Sequence, residues 1–393
     1  MRLAHPGPSM KPALAAAYLL AVIMLGVTLP TPLYPLYQQA LGFSTLVTTV
    51  IYTAYSAGVM ITLILLGGSS DHYGRRPVLL AGLALSAASA ICFAARIGLP
   101  DIFAGRILSG LSAGLFTGTA TAYVIDLAPQ ARRGQATLLA AAANLGGIGA
   151  GPLLAGLTLQ YLPAPLRTAY AVDLALIAIG VVLVVRLPET AISPGHRPGL
   201  RPRLGIPNTA RRMFARAAIA GSAGYAVNGY FLTIIPTTLQ TQFTEHNHVV
   251  TGAIICSLFE AALVGQLAVP ALGNERALAA GCLIMIAGTG LLAASLIESS
   301  LALLIAGAII AGAGQGLSFR AGGALIRALS PQQQAGRVAS TYFIVLYAAV
   351  STAVIAIGVA AQNFGLRQTG VATAVIVAAL AATCVGSLSA LRE

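Results

Sequence analysis

Apolar residues run along this chain in long blocks separated by short polar stretches, and the block length sets the first expectation. A helix needs about 20 apolar residues to cross about 30 Å of hydrocarbon. That ruler predicts helical spans at 13–37, 45–67, 77–96, 99–125, 134–157 and 165–185. Six more are predicted at 213–240, 249–272, 277–297, 301–328, 336–361 and 369–391. Between the two sets, residues 186–212 hold Pro188, Pro194, Pro198, Pro202 and Pro207 among Arg186, Arg197, Arg201, Arg203, Arg211 and Arg212. Prolines interrupt a helix and the charges hold the stretch in water, so it reads as a linker. The predicted organisation is therefore a six-helix bundle at 1–185, a linker at 186–212 and a second six-helix bundle at 213–393. The expected fold class is an all-α membrane protein of twelve transmembrane helices in two pseudo-symmetric bundles.

The basic residues give these spans a direction. One set of loops and ends holds Arg2, Lys11, Arg75, Arg76, Arg132, Arg133, the linker arginines, Arg216, Arg276, Arg327, Arg337 and Arg392, while the other holds Arg96, Arg167 and Arg367. Cytoplasmic loops carry the excess of Lys and Arg, so both termini and the linker are expected inside the cell. The apolar run 13–29 follows Arg2 and Lys11 as a secretory signal would, but further spans follow it, and it reads as an uncleaved first span.

The halves repeat. A shift of 202 positions carries Gly110 onto Gly312, Gly114 onto Gly316, Pro129 onto Pro331, Gly134 onto Gly336 and Gly156 onto Gly358. Parallel repeats of this kind are a transporter architecture with the substrate site between the halves.

Composition removes other readings. Hydrophobic residues make up 57% of the 393 positions, charged residues 8%, and mean hydropathy is +0.86. A soluble domain carries about 25% charged residues. The net charge of +12 falls in short loops, as topology requires, and does not point to nucleic acid. Cys92, Cys256, Cys282 and Cys384 stand singly without metal or disulfide spacing and read as packing residues. No GxxxxGK[ST] phosphate loop is present, and the glycine clusters at 146–151 and 312–316 lack the strand that a dinucleotide loop needs. No cofactor is expected beyond a proton gradient.

The loop between spans two and three reads Gly67-Gly68-Ser69-Ser70-Asp71-His72-Tyr73-Gly74-Arg75-Arg76-Pro77. It resembles the GxxxD-(R/K)-x-G-R-(R/K) signature of the major facilitator superfamily, with His72 where a basic residue is usual. Gly67 and Gly74 permit a tight turn. Asp71 suits a helix N-terminus, and Arg75 and Arg76 can pair with Asp126 at the inner end of span four. The resemblance implies that these contacts latch the outward-facing state; a plain positive-inside turn is the alternative. The corresponding second-half loop, Gly273-Asn274-Glu275-Arg276, is degenerate, so any latch is asymmetric.

Span five carries Gly147, Gly151, Pro152, Ala155 and Gly156, which resemble the GxxxGPxxGG element associated with antiporters in that superfamily, Ala155 replacing one glycine. Positions 147, 151 and 155 make one smooth face, and Pro152 bends the helix. Generic small-residue packing is the other reading. Span four holds Arg106 with Gly110 and Gly114, a partial match to the RxxQGxG element; Arg106 either snorkels to headgroups or handles protons or substrate.

Glu260, in the middle of span eight, is the leading proton candidate, because a charge at that depth costs about 2.5–3.5 kcal/mol. A protonated acid bonded to a neighbouring helix is its alternative. Asp173 in span six reads as a weaker candidate beside Arg167. Tyr34 and Tyr37 in span one, Asn228 in span seven and Gln315 in span ten are candidate cavity groups.

The combined expectation is a proton-coupled exporter of small amphipathic or drug-like compounds in the inner membrane, working as a monomer by alternating access. Its expected partners are a small-molecule substrate, protons and the lipid bilayer, with no nucleic acid. An importer or uniporter of a metabolite keeps the fold. An intramembrane enzyme or sensor changes the class, and no Ser/His or metal spacing supports it.

Overall fold

The computed structural model describes residues 9–66, 70, 73–95, 98–191, 204–331 and 334–389, and within them there is helix and no strand. In order the helices are α1 (Lys11–Thr28), α2 (Tyr34–Leu41), α3 (Thr45–Leu65), α4 (Arg75–Ala95), α5 (Leu99–Asp126), α6 (Arg133–Tyr161) and α7 (Pro165–Arg186). The remainder are α8 (Arg211–Thr233), α9 (Ile235–Gln242), α10 (His248–Leu272), α11 (Asn274–Glu298), α12 (Leu301–Ala328), α13 (Ala335–Phe364) and α14 (Leu366–Ser389). Eleven helical stretches among the described residues are long and apolar enough to span a membrane, or twelve when a bent pair counts as one span. Hydrocarbon offers the backbone no hydrogen-bond partner, so helices that satisfy their own N–H and C=O groups are the form such blocks take.

Two predicted spans are interrupted, and proline chemistry explains both. In the first, Pro30 cannot donate to the Gly26 carbonyl nor Pro32 to that of Thr28, so α1 stops at Thr28 and a short 3-10 turn, Thr31–Leu33, leads into α2. In the seventh, Pro236 leaves the Leu232 carbonyl without its donor, and the stretch Asn208–Thr233 meets α9 at 53°. Outward-facing apolar residues such as Ile179, Val182 and Val185 of α7 remain exposed, as lipid-facing positions do.

The chain forms two compact units. One consists of Met1–Pro30 with Ala54–Pro202, the other of Thr31–Thr53 with Arg203–Glu393. Residues 31–53, which the repeat assigns to the first half, thus belong to the second unit, where a side chain on Gly358 of α13 would collide with Thr49 of α3.

Within each unit, glycines set the closest helix approaches. In the first, a Cβ on Gly110 of α5 would strike the Tyr55 carbonyl of α3, and one on Gly114 would lie 2.6 Å from Thr62 Cβ. In the second, a Cβ on Gly312 of α12 would strike the Leu258 carbonyl of α10, and one on Gly316 that of Ala262. These are the glycines that the 202-residue shift superposes.

Candidate functional site

Three helices of the first unit converge on the last turn of α1, Gly26–Thr28, just before the proline break. From α6, Gly147 and Gly151 bring the backbone against Ala21, Leu25 and Thr28, so the small-residue face predicted there is a seam with α1. Pro152 has no N–H for the carbonyl four residues earlier, that of Ile148. The Thr28 hydroxyl donates to this carbonyl at 2.8 Å. A side chain on α1 thereby satisfies the acceptor that a proline on α6 leaves open.

From α5, Arg106 is 1% exposed and donates from Nη1 to the Val27 carbonyl at 2.6 Å. The proline-broken end of α1 makes that carbonyl available. The guanidinium also lies 6.0 Å from the Tyr55 ring centroid and 5.7 Å from that of Phe93. Phe93 in turn stacks on Tyr170 of α7, centroids 5.4 Å apart and planes 5° from parallel. A cation buried against aromatic faces and a backbone carbonyl is stabilised without reaching water. Of the two readings of Arg106, snorkelling is therefore not what the side chain does here.

From α7, Asp173 is 2% exposed, and its Oδ1 has no hydrogen-bond partner. A Cβ on Gly26 would lie 3.1 Å from Oδ2, a tight contact that the carboxyl would ease by shifting a few tenths of an ångström. Arg106 thus holds Val27, and the Asp173 carboxyl lies beside the preceding residue of the same turn, Gly26.

A second assembly lies at the N-terminus of α4. Gly74 takes a φ of 99°, a left-handed conformation suited to glycine, as the turn expectation required. Arg75 pairs with Asp126 at 3.4 Å and donates from Nη1 to Ser70 Oγ at 2.6 Å. Arg76 turns instead to the end of α7, donating to the carbonyls of Val184 at 3.2 Å and Val185 at 2.7 Å. Gly67 and Asp71 lie outside the described residues.

The sequence reading missed the residue that organises this assembly. The Glu189 carboxylate, three residues past α7, accepts the backbone N–H groups of Arg75 at 2.8 Å and Arg76 at 3.0 Å. It also accepts those of Thr190 at 2.9 Å and Ala191 at 3.0 Å. Burial alone would raise its pKa, but the N–H groups of Ala191, Arg76, Arg75 and Thr190 outweigh that effect and hold it below the ordinary 4.5. The Tyr123 hydroxyl donates to the Pro188 carbonyl at 2.8 Å, and Thr190 Oγ1 donates to Asp126 at 3.4 Å. An acid in the linker thus caps α4, whose first N–H groups favour an anion. Its position beside a proline just past a predicted span was visible; its partner more than a hundred residues away was not.

In the second unit, Tyr225 of α8 packs against Phe319 of α12 and Tyr347 of α13, with centroids 5.9 and 5.8 Å apart. Tyr342 and Phe343 extend the group. One turn along α8 from Tyr225, Asn228 keeps Oδ1 unpartnered, and so does Gln315 at Oε1 on α12. A Cβ on Gly224 would lie 2.5 Å from Gln315 Cγ, which places the two amides on one α8–α12 seam. Tyr34 and Tyr37 of α2 are buried in this unit. Glu260 stands apart from these groups: it is exposed on α10, in line with exposed Val264 and Leu267. Among the described residues no three His, Cys, Asp or Glu side chains are placed to hold a metal.

Comparison with known proteins gives this arrangement its context. Multidrug resistance protein 2 of Bacillus subtilis is 27% identical over 180 residues, 45% of this chain and 44% of that protein. The quinolone resistance protein NorA of Staphylococcus aureus is 27% identical over 108 residues, 28% of each chain. The triacylglyceride transporter of Mycobacteroides abscessus is 33% identical over 139 residues, 35% of this chain and 26% of that one. The matched stretches therefore span less than half the length of each relative. The crystal structure of the human organic anion transporter MFSD10 covers 97% of this chain and 100% of its own at a TM-score of 0.70, with 19% identity, which establishes a shared fold. The model of the Major Facilitator Superfamily matches residues 16–297, so the chain belongs to that superfamily, and its apolar helices make it a multi-pass membrane protein.

Proposed function

We propose that the protein is a proton-coupled exporter of small amphipathic compounds. It works by alternating access between the bundles at 1–185 and 213–393, joined by the linker at 186–212. It resides in the inner membrane with both termini cytoplasmic, acts as a monomer and needs no cofactor beyond the proton gradient.

The observation that carries the substrate class is the aromatic group of the second unit beside two orphaned amide oxygens. Tyr225, Phe319, Phe343 and Tyr347 are only part-buried, so their rings can cover an apolar body or face a cation. The unpartnered oxygens of Asn228 and Gln315 are acceptors, and an unsatisfied acceptor gains from a ligand N–H. Rings plus acceptors suit an amphipathic amine or ammonium better than an anion. The drug-resistance names of two relatives agree with this class. A proton moving down a potential of 100 mV releases about 2.3 kcal/mol per charge, enough to drive export.

Direction and coupling are tested together. Everted vesicles are expected to accumulate ethidium when energised and to lose it on adding an uncoupler, while intact cells expel it. Energised accumulation in intact cells would instead favour the importer.

A further inference from the structure

We infer that Asp173 is a proton-binding residue of this transporter, and that its protonation governs how closely α7 packs on the last turn of α1. The inference rests on the proton-coupled reading above and supplies the residue that this reading lacks. Glu260, which the sequence favoured for that role, is exposed, while Asp173 is buried among helices.

The geometry makes the argument. A carboxyl retained in a packed interior for structure alone is expected to have both oxygens satisfied, because an orphaned buried acceptor is costly. Asp173 Oδ1 has no partner, and on the Oδ2 side the neighbour is Gly26, which offers no side chain. A bound proton removes the charge that such a site disfavours. The chemistry is simple: the carboxylate takes one proton to become a neutral acid and returns it when exposed to the other side.

The groups around it define the consequence. On its own helix stand Arg167 and Tyr170. On α1, Tyr18 donates to the Leu176 carbonyl at 3.0 Å. On α4, Cys92 adjoins the Phe93 that stacks on Tyr170. On α5 are Asp101 and Arg106, and α6 carries no charged side chain between Arg133 and Tyr161. Arg106 is thus the cation held on the same turn of α1, through the Val27 carbonyl. With Asp173 neutral, α7 also packs on that turn, at Gly26. With Asp173 ionised, its unpartnered charge disfavours the close approach of α7 to Gly26, and the turn loses that packing. The turn so released ends at Thr28, next to the proline break after which the chain enters the other compact unit at Thr31. Protonation is thereby linked to the point where α1 can flex.

Infrared titration of the purified full-length protein reads the carboxyl directly, without a substrate. Wild-type protein is expected to show an acid-form carboxyl band that disappears on alkalinisation. The band should be absent in Asp173→Asn and intact in Glu260→Gln; a band that survives Asp173→Asn overturns the assignment. Should that variant fail to fold, Gly26→Ser places a hydroxyl beside the carboxylate. It is expected to lower the midpoint by about one pH unit, because a donor favours the ionised form. An unmoved midpoint overturns the assignment equally. The link to α1 is read by proteolysis or labelling at residue 29 across the same titration: protection lost with the band supports it, and protection independent of the band overturns it. Failure of the export reading shows separately, as wild-type vesicles whose ethidium movement ignores the uncoupler while the infrared result stands.

Discussion

The two units share their seams and differ in their loops. Gly110 against Tyr55 and Gly312 against Leu258 are the same kind of contact built twice, helix backbone on helix backbone, with one shift relating the two glycines. The loops that follow α3 and α10 diverge. Before α4, Gly74, Arg75 and Arg76 are held by Asp126, Glu189 and the end of α7. Before α11, Gly273 also takes a positive φ, 76°, but Asn274, Glu275 and Arg276 are exposed. Packing that defines the fold has been kept in both copies. Electrostatic clasping has been concentrated in one.

The largest expected effect tests the shared part. Gly110→Leu and Gly312→Leu each push a side chain into a backbone carbonyl, which cannot move aside as a flexible side chain would. Overpacking of a well-filled interface costs about 1–3 kcal/mol and can cost more. Both variants should lower the thermal midpoint in detergent to a similar degree or fail to yield monodisperse protein. A large loss in one and none in the other would break the equivalence of the seams.

Next in size is the joint between α1 and α6. Thr28→Val keeps the shape but removes the donor to the Ile148 carbonyl, at an expected cost of about 1–3 kcal/mol. Pro152→Ala restores an N–H four residues after Ile148, so the same Thr28→Val change should cost far less in that background. Thermal midpoints of the four proteins complete a double-mutant cycle. Additive losses would show that Thr28 does not serve the carbonyl that the proline frees.

The parts legible from sequence are those that rest on length and local chemistry. Span positions followed from apolar block length, and the helix break after Thr28 and the bend after Thr233 follow from missing N–H groups at Pro30, Pro32 and Pro236. Arg75 with Asp126 was foreseeable from charge and loop position. Glu189 and Thr28 were not, because each serves a backbone group whose need appears only when distant helices meet. Asp173 reads as the weaker candidate because it lies beside Arg167. That it is buried while Glu260 is exposed is not legible, because depth along a helix is readable in sequence but rotation about its axis is not. The hydrophobic pattern of such helices, apolar on every side, leaves the buried face unmarked.

The smallest expected effect tests the asymmetric part. Glu189→Gln removes the charge that four backbone N–H groups favour, while Glu275→Gln changes an exposed side chain. At neutral pH the first should lower the thermal midpoint by a few degrees and the second should leave it within error. The sign with pH follows from Glu189's depressed pKa. Its stabilisation is fully present above the ordinary value of 4.5 and is lost as pH falls through the lower folded-state value. The gap between wild type and Glu189→Gln should therefore close on acidification, while Glu275→Gln tracks wild type throughout. A gap that stays constant with pH would mean that Glu189 holds α4 by shape rather than charge. An equal effect from Glu275→Gln would restore to the second unit a clasp that its exposed loop does not show.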